Sequence, residues 1–396
     1  MPKAKPLAPQ RPVELAASRR SAVAPFLAMD VLNAAGELER QGAHIIHMEI
    51  GEPGAATPRP VREAAIKALE AGRIGYTPAL GRPQLRARIA RHYRDAYGLE
   101  IAPERVAVTT GSSAGFVLAF LALFDAGARV AVAAPGYPAY ANIFAALGIA
   151  VVPIETQAAD RYVVTAKAVA ASHAAEPLDG VLLMSPSNPS GTMMSDAVLR
   201  DICATCARLG IRFISDEIYH GLTYERAAQS ALRFMDDCVV VNSFSKYFCM
   251  TGWRIGWLVL PLALVRPVER LAQSLAISPP MLSQIAAEAA FDASDELEAI
   301  RQVYARNRAL LLQELPGIGL GDFHPVDGAF YIYADIGRFT NDSADFCDRL
   351  LRQAGVATTP GLDFEAARGN RMLRLSFAGS ESDVREGLAR LKAWLA

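Results

Sequence analysis

The sequence lacks an excess of charge of either sign. Forty lysines and arginines stand against 41 aspartates and glutamates, which gives the 396-residue chain a net charge of −1. Proteins that bind nucleic acid or an anionic membrane surface usually carry a cluster of positive charge. The composition therefore gives no support to binding of nucleic acid or of a membrane surface, and it favours a function in which the ligand is a small molecule.

Long apolar runs and cysteines are also scarce. The longest apolar run, residues 114–124, is well short of the roughly 20 residues that a membrane-spanning helix needs. The 5 cysteines have no disulfide-framework spacing, and the pair Cys203 and Cys206 lacks a second ligand pair, so we expect no metal site. No signal-peptide pattern is present near residue 1. These absences predict a soluble, cytoplasmic protein.

Hydrophobic residues make up 52% of the sequence, and its length suits two domains of about 150 residues or more each. We expect residues 1–50 to form an N-terminal arm and part of a small domain. A large domain would cover residues 51–291, and residues 292–396 would complete the small domain. The large domain carries short β-branched runs that alternate with helical patterns, and this alternation is typical of a buried, mostly parallel sheet.

The predicted fold class is α/β, with a mostly parallel seven-stranded sheet flanked by helices and a smaller α+β domain. The predicted strands of the sheet are Arg105–Thr109, Arg129–Ala133, Ala150–Ile154, Gly180–Met184, Ile211–Ser215, Cys238–Asn242 and Ile255–Leu260. Beyond residue 292 we expect a long helix from about Ser294, strands near Gly328–Ala334 and Met372–Phe377, and a final helix capped by Ser380.

Polar and aromatic residues follow most of these strands, and ligands of open parallel sheets bind at the carboxyl ends of the strands. Gathered at one edge, they would supply a helix N-terminus with hydroxyls, an aromatic face, an amide, a carboxylate, a phenol, a lysine and an arginine. A planar pyridine with a phosphate arm and an aldehyde uses all of these groups. The segments are T-G-S-S (110–113), P-G-Y-P (135–138), S-P-S-N-P-S-G (185–191), D-E-I-Y (216–219), S-F-S-K (243–246) and G-W-R (252–254).

These segments, together with R-L-S-F-A (374–378), resemble the fold-type I, class I/II aminotransferases of the aspartate aminotransferase superfamily. The resemblance runs from about residue 25 to the C-terminus. It implies a fold-type I transferase that uses pyridoxal 5′-phosphate (PLP) as its cofactor.

By this resemblance, Lys246 is the lysine that forms a Schiff base with the cofactor and then acts as the catalytic base. Asp216 would pair with the pyridine nitrogen, and Tyr219 and Asn188 would bond the ring oxygen O3′. Asn188 would also touch the substrate carboxylate, and Tyr137 would stack on the ring. Each residue also has a structural alternative, such as a turn for Asn188 or a core aromatic for Tyr137.

The resemblance also implies a phosphate site at the N-terminus of the helix that follows the first predicted strand. Ser112 and Ser113 would lie there, where free N–H groups attract an anion. Arg254 would add a guanidinium, and either Ser243 or Ser245 a hydroxyl. We favour Ser243, because the family's phosphate-binding hydroxyl commonly lies three residues before the lysine.

Three further residues match family positions at the edge of the site. Tyr76 matches a tyrosine that reaches the phosphate of the neighbouring subunit, which would make the protein a homodimer with shared active sites; a packed loop tyrosine is the alternative. Arg374 matches the arginine that binds the substrate α-carboxylate, whereas Arg371 is expected to be a surface ion. Gly51 matches a glycine whose backbone approaches that carboxylate.

Residues 111–115 contain no cation, so this position gives no support to a dicarboxylate substrate, and Phe26, Leu27 and Tyr137 hint at an apolar side-chain pocket. The predicted function is transfer of an amino group between an α-amino acid and a 2-oxo acid by a ping-pong mechanism. One alternative is a carbon–sulfur β-lyase or a cyclopropane-forming synthase on the same scaffold. A more remote alternative is a PLP-binding regulatory module.

Overall fold

A computed structural model of the chain describes residues 16–396. Residues 1–15, the first part of the predicted N-terminal arm, lie outside the described residues. In chain order the strands are β1 (Ile46–His47), β2 (Val106–Thr109), β3 (Arg129–Ala134), β4 (Ala150–Glu155), β5 (Gly180–Met184), β6 (Arg212–Asp216), β7 (Val239–Ser243), β8 (Gly256–Val259), β9 (Tyr331–Asp335), β10 (Val356–Ala357), β11 (Thr359–Pro360) and β12 (Met372–Ser376).

The helices alternate with these strands in the first two thirds of the chain. In chain order they are α1 (Leu27–Arg40), α2 (Arg59–Glu70), α3 (Pro83–Tyr97), α4 (Gly111–Leu123), α5 (Pro138–Leu147), α6 (Ala166–Ala175), α7 (Asp196–Leu209), α8 (Leu262–Leu275), α9 (Met281–Ala290), α10 (Ser294–Glu314), α11 (Ser343–Ala354) and α12 (Glu381–Leu395).

A seven-stranded sheet with the order β2-β8-β7-β6-β5-β3-β4 forms the centre of the molecule. Strand β8 runs antiparallel to both neighbours, and the other pairs are parallel. Hydrophobic clusters cover both faces of this sheet. The predicted α/β fold is therefore confirmed, and the seven predicted strands match the observed ones to within one residue at each end.

Local signals in the sequence also mark the helix ends. Gly98 and Gly210 end α3 and α7 with positive φ angles of 65° and 70°, a conformation that glycine adopts without a Cβ penalty. The side chains of Ser195 and Ser380 accept hydrogen bonds from the first turns of α7 and α12. The Ser380 cap is the one predicted above, and glycine and serine at the other three positions are residue types that such caps favour.

A smaller three-stranded antiparallel sheet, with the order β11-β12-β9, lies next to the carboxyl ends of the large sheet. The N-terminal strand β1 pairs with β10 beside it. Helix α10 belongs to both regions, because Leu297 packs in a core of the large sheet while Tyr304 and Leu311 pack with the small sheet. The division of the chain at residue 291 therefore stays a prediction.

The turn after β5 connects the two sheets directly. The backbone N–H groups of Asp327 and Gly328 both donate to the carbonyl oxygen of Gly191. This contact brings the carboxyl ends of β5 and β6 against β9 and β12, so that side chains from both sheets can line one cavity. Within residues 16–396, no helix has the length and the apolar character needed to cross a membrane.

Candidate active site

One cavity between the two sheets contains all but two of the predicted site residues. The exceptions are Ser243 and Tyr76. The lining includes Gly51, Ser112, Ser113, Tyr137, Asn188, Asp216, Tyr219, Ser245, Lys246, Arg254 and Arg374, together with Phe26, Ala28, Met29, Ile50, Phe116, Met184, Ile218 and Tyr331.

Lys246 lies three residues after the end of β7, and its amine points into the cavity. Its Nζ donates a hydrogen bond to the carbonyl oxygen of Gly51. Burial lowers the pKa of the Lys246 amine to about 8; the positive charge of Arg374 adds to this effect and the charge of Glu52 opposes it. The amine is therefore much closer to its neutral form at physiological pH than an exposed lysine would be.

Asp216 ends β6 and is almost fully buried, with 1% of its surface exposed. Its carboxylate accepts hydrogen bonds from the hydroxyl of Tyr140 and from the backbone N–H of Ile218, and it forms no ion pair with any described residue. Burial raises the pKa of Asp216 to about 7, although the hydrogen bond from Tyr140 opposes this rise. A carboxylate in this setting suits a cationic ligand, whose charge would offset the cost of burial.

Tyr140 is a site residue that the sequence analysis missed. Tyr137 precedes α5 and Tyr140 lies in its first turn, and the two rings meet edge to face with centroids 5.3 Å apart. Residues three apart share one side of a helix, so the spacing in P-G-Y-P-A-Y could have indicated that Tyr140 lies beside Tyr137, where its hydroxyl reaches Asp216 behind the cavity wall. Burial raises the pKa of the Tyr137 hydroxyl to about 12, which keeps it protonated at neutral pH.

Backbone N–H groups that could bind an anion lie where β2 leads into α4. Ser112 and Ser113 lie in the first turn of α4, where backbone N–H groups have no partner within the helix. Gly111 adopts a φ of +72°, and a Cβ at this position would lie 2.5 Å from Nη2 of Arg254. The positive φ favours glycine here, and the absence of a side chain lets the Arg254 guanidinium lie directly against the start of the helix.

The predicted preference for Ser243 over Ser245 is not supported by the geometry. Ser245 lines the cavity. The hydroxyl of Ser243 lies behind it, within hydrogen-bonding distance of Ser245 Oγ at 2.9 Å and of the Ile255 carbonyl oxygen at 3.1 Å. The structure therefore favours Ser245 for direct contact with a ligand, and Ser243 as the residue that orients it.

Arg374, on β12, lies at the other end of the cavity and is buried. Its Nη1 donates to the side-chain oxygen of Asn188 at 2.9 Å, and its Nη2 donates to Thr359 Oγ1 at 3.1 Å and to the Glu49 carbonyl oxygen. The Nε of Arg374 has no hydrogen-bond partner among the described residues. A buried guanidinium with unused donors and no carboxylate partner is suited to an anionic ligand.

Gly51 and Tyr331 approach each other closely beside Arg374. A Cβ built on Gly51 would lie 1.9 Å from the hydroxyl oxygen of Tyr331, so a larger residue does not fit. The same hydroxyl lies 2.7 Å from the hydroxyl of Tyr219, which follows β6. Tyr331 was also missed by the sequence analysis, because no local pattern marks a tyrosine on a distant strand as part of this site.

The apolar part of the cavity comes partly from the segment around the start of α1. Phe26 meets Tyr137 edge to face at 6.0 Å, and Met29 and Ile50 also line the cavity. Leu27, which the sequence analysis grouped with Phe26, does not line it; its backbone N–H donates to the carboxylate of Asp363 at 2.9 Å. Phe26 precedes α1 with an extended backbone and Leu27 is the first helical residue, so the two side chains point in different directions.

Tyr76 is 83% exposed and does not reach the cavity of its own chain. The cavity itself has two parts. We call Ser112, Ser113, Asp216, Lys246 and Arg254 the anchor half, because each lies within a few residues of a strand of the large sheet. We call Gly51, Asn188, Tyr331 and Arg374 the clamp half.

Comparisons with known proteins identify the family of the chain. Residues 43–391 match the model of the family "Aminotransferase class I and II". The chain is 48% identical over 380 residues to a valine–pyruvate aminotransferase of Mycobacterium tuberculosis, covering 95% of this chain and 97% of that protein.

Solved structures show the same fold. An aminotransferase from Mycobacterium tuberculosis superposes with a TM-score of 0.94 at 47% identity, covering 96% of this chain and 99% of that one. Aspartate aminotransferase from Thermus thermophilus with maleate gives a TM-score of 0.90 at 34% identity, with coverages of 96% and 100%. The chain therefore belongs to the class I and II aminotransferases, and it is a pyridoxal-phosphate-dependent enzyme that transfers amino groups.

Proposed function

We propose that this aminotransferase holds its cofactor in the anchor half and the carboxylate of its amino-acid substrate in the clamp half. The observation that carries the proposal is that Lys246, Asp216, Arg254 and Arg374 line one cavity. When bound, the cofactor supplies an electron sink for the negative charge that develops at the substrate Cα. Binding of the cofactor, binding of the substrate and movement of the proton depend on residues of the chain.

In this proposal Asp216 pairs with the protonated pyridine nitrogen, which would provide the cation that its buried carboxylate lacks. Tyr137 would cover the ring, and Tyr219 and Asn188 would donate to the ring oxygen. The Lys246 amine would hold the aldehyde carbon and, once the substrate amine has replaced it there, would be free to move the proton to and from the substrate Cα. Its lowered pKa, about 8, supports this role, because only the neutral amine can accept that proton.

The two anionic groups would bind at opposite ends of the cavity. The phosphate would accept hydrogen bonds from the start of α4 at Ser112 and Ser113, from the guanidinium of Arg254, and from Ser245. The substrate carboxylate would bind Arg374, with Asn188 and the backbone of Gly51 completing its surroundings. A guanidinium suits this role, because its fork pairs with both carboxylate oxygens and stays charged.

We further propose that the substrate is an amino acid with an apolar side chain, such as valine, and that the acceptor is a small oxo acid, such as pyruvate. The cationic side chains of the cavity are Lys246, Arg254 and Arg374, and each has a role already. None is left for a second carboxylate, whereas Phe26, Met29 and Ile50 provide apolar contacts. The similarity to a valine–pyruvate aminotransferase supports the same choice.

We also propose a homodimer in which Tyr76 contacts the phosphate held by the other subunit. Support comes from the loop around Tyr76, which is well anchored although Tyr76 itself is exposed. Gln284 donates to Thr77 Oγ1 at 3.0 Å and accepts from the backbone N–H of Arg82 at 2.7 Å. Ile74 precedes this loop in the sequence, and its side chain is 44% exposed. Ile277, which is 54% exposed, precedes Ser278, whose hydroxyl accepts a hydrogen bond from the backbone N–H of Thr77. These apolar side chains could be covered by a second subunit.

We also propose that the protein works in the cytoplasm, because its five free, buried cysteines fit a reducing cytosol.

A half-reaction assay tests the proposed substrate class. Enzyme with bound cofactor is mixed with valine or with aspartate in the absence of an oxo acid, and the absorbance of the cofactor is followed. We expect the cofactor absorbance to decay at least about tenfold faster with valine than with aspartate, because aspartate would bring an unpaired carboxylate into an apolar pocket. Faster reaction with aspartate would contradict the proposal. Sustained release of pyruvate and ammonia from L-cysteine, which carries a sulfur leaving group at Cβ, would instead indicate a carbon–sulfur β-lyase.

Subunit complementation tests the shared site. Inactive Lys246→Ala and weakened Tyr76→Ala chains are co-expressed so that mixed dimers form. If Tyr76 acts across the interface, one site of each mixed dimer is intact and activity returns to roughly a quarter of the wild-type value, because half of the dimers are mixed. Separately expressed chains mixed after dimer formation are the control. Activity no higher than that of the control would mean that Tyr76 acts within its own chain or not at all.

A further inference from the structure

We infer that Tyr331 and Phe364 are positioning residues of the clamp half: their rings hold the Arg374 guanidinium between them, and the Tyr331 hydroxyl strengthens Tyr219 as a hydrogen-bond donor. Neither residue follows from the family motifs in the sequence. The inference rests on the proposed function, because it takes Arg374 as the carboxylate site and Tyr219 as a donor to the ring oxygen.

The first observation is the environment of the Arg374 guanidinium. Its central carbon lies 4.5 Å from the centroid of the Tyr331 ring and 4.8 Å from the centroid of the Phe364 ring. Both rings are buried. Two aromatic faces attract the cation and restrict rotation of its plane, so the donors not used by Asn188, Thr359 and Glu49 keep a fixed direction.

Backbone geometry explains how Tyr331 reaches this position. Arg374 on β12 is paired with Tyr333 on β9. Side chains two residues apart share one face of a strand, so Tyr331 and Tyr333 lie on the face that carries Arg374. Tyr333 bonds away from the cavity, to Glu365 Oε1 at 3.0 Å. Tyr331 is therefore the residue of this strand face whose hydroxyl lines the cavity.

The second observation is the contact between the hydroxyls of Tyr331 and Tyr219 at 2.7 Å. Each hydroxyl has one hydrogen. If Tyr219 donates its hydrogen to a ligand oxygen, Tyr331 must be the donor in the contact between the two tyrosines. A donor whose oxygen accepts a second hydrogen bond becomes a stronger donor. Tyr331 would thus stabilise negative charge on the ring oxygen through Tyr219.

Because the ring and the hydroxyl of Tyr331 have different functions in this inference, their effects can be separated. Phe364→Leu removes one aromatic face but leaves the tyrosine pair, whereas Tyr331→Phe keeps both faces but removes the hydroxyl. A purely structural role for either residue would instead change both properties together or neither.

Binding of isovalerate, the carboxylic acid that valine would be without its amino group, measures the first function. Isovalerate cannot react, so its Kd for the holoenzyme is obtained by calorimetry. We expect Phe364→Leu to raise this Kd about fivefold, and Phe364→Tyr and Tyr331→Phe to stay within about twofold of wild type. If Phe364→Leu does not fold, Phe364→Met is measured in its place. An unchanged Kd in the folded variant overturns this part of the inference.

The pH dependence of the cofactor absorbance, recorded without substrate, measures the second function. We expect Tyr331→Phe to raise the pH at the midpoint of the absorbance change by about half a unit. A weaker donor at the ring oxygen leaves more negative charge on that oxygen, so the cofactor holds the proton that titrates in this change more tightly. Tyr333→Phe is the matched control, and neither it nor Phe364→Leu should move the midpoint. A midpoint unchanged in Tyr331→Phe overturns this second part.

The wild-type enzyme separates this inference from the proposed function. If it neither binds isovalerate nor shows a pH-dependent cofactor absorbance, the proposed function is wrong and the inference fails with it. If it shows both and the variants behave as wild type, only the inference is wrong.

Discussion

In the anchor half of the cavity each side chain lies within a few residues of its own strand, whereas the clamp half is assembled from four segments spread over more than 300 residues. Lys246 follows β7 by three residues, and Asp216 is the last residue of β6. Gly51, Asn188, Tyr331 and Arg374 meet only because the small sheet packs against the large one. The anchor half therefore depends on strand ends and turns, and the clamp half depends on packing between sheets.

The two halves also treat buried charge differently. Asp216 in the anchor half has its pKa raised to about 7 by burial and forms no ion pair with a described residue. Arg374 in the clamp half is surrounded by carbonyl and amide oxygens and two aromatic rings. The Asp216 carboxylate has no ion-pair partner among the described residues, and neither has the Arg374 guanidinium. If this comparison is correct, mutations in one half should affect cofactor binding and mutations in the other should affect substrate binding.

The largest effect is expected at Lys246, which belongs to the anchor half but donates to Gly51 of the clamp half. Lys246→Ala should lower turnover at least about a thousandfold, because the proton at the substrate Cα then has no base. The variant should still bind the cofactor through the other anchor residues. Borohydride reduction of the wild type followed by mass spectrometry should place the cofactor on Lys246, and a label on another lysine would refute this role.

Arg374→Lys should break the clamp half alone. We expect kcat/KM to fall about 100-fold, because an ammonium cannot reproduce a bidentate contact and leaves buried acceptors unpaired. The affinity for the cofactor should change by less than about twofold. Arg371→Lys is the matched control, since Arg371 pairs with Asp335 at 2.9 Å and half of its side chain is exposed. Equal losses of cofactor and substrate affinity would indicate a structural role for Arg374.

Tyr140→Phe should weaken the anchor half alone. Without its hydrogen bond the pKa of Asp216 should rise further above about 7, so that less of the carboxylate is ionised at neutral pH. We expect the Kd of the apoenzyme for the cofactor to rise about tenfold at pH 7. The loss should shrink above pH 8, where Asp216 ionises without help. Tyr224→Phe removes a partly buried hydroxyl that donates to the Ala329 carbonyl oxygen outside the cavity, and an equal loss in that variant would contradict the explanation.

The last prediction concerns stability and not catalysis or cofactor binding. The folded-state pKa of Lys246 is about 8, below the ordinary 10.5, so the folded apoenzyme carries the cost of a buried charge below pH 8. This cost disappears as pH rises through 10.5, where the amine is neutral in both states. Lys246→Met should thus make the apoenzyme more stable by about 2 kcal/mol at pH 7, and the difference should vanish above pH 10.5. A pH-independent difference in denaturant titrations would mean that packing causes it.

The sequence determined the central sheet and most of the anchor half. Gly98, Gly210, Ser195 and Ser380 act on the backbone within a few residues, so their effects could be predicted without knowledge of the rest of the chain. The same holds for Lys246, because the loop after a parallel strand must emerge at the carboxyl edge of the sheet. Arg374 and Gly51 were assigned to the active site only by the resemblance to a family, because no local sequence pattern indicates a role for them there.

Only the tertiary structure decided which hydroxyl faces the cavity and what surrounds Arg374. Ser243 ends β7 and Ser245 lies two residues beyond it, so the two side chains would point the same way in an extended chain. The hydrogen bond from the Ser243 hydroxyl to the Ile255 carbonyl oxygen holds Ser243 behind the cavity. Tyr331 reaches Arg374 because β9 pairs with β12, and Phe364 reaches it from the loop after β11. No local sequence pattern predicts either contact. Contacts of this kind depend on side chains that are distant in the chain, and their geometry is fixed only when the two sheets pack together.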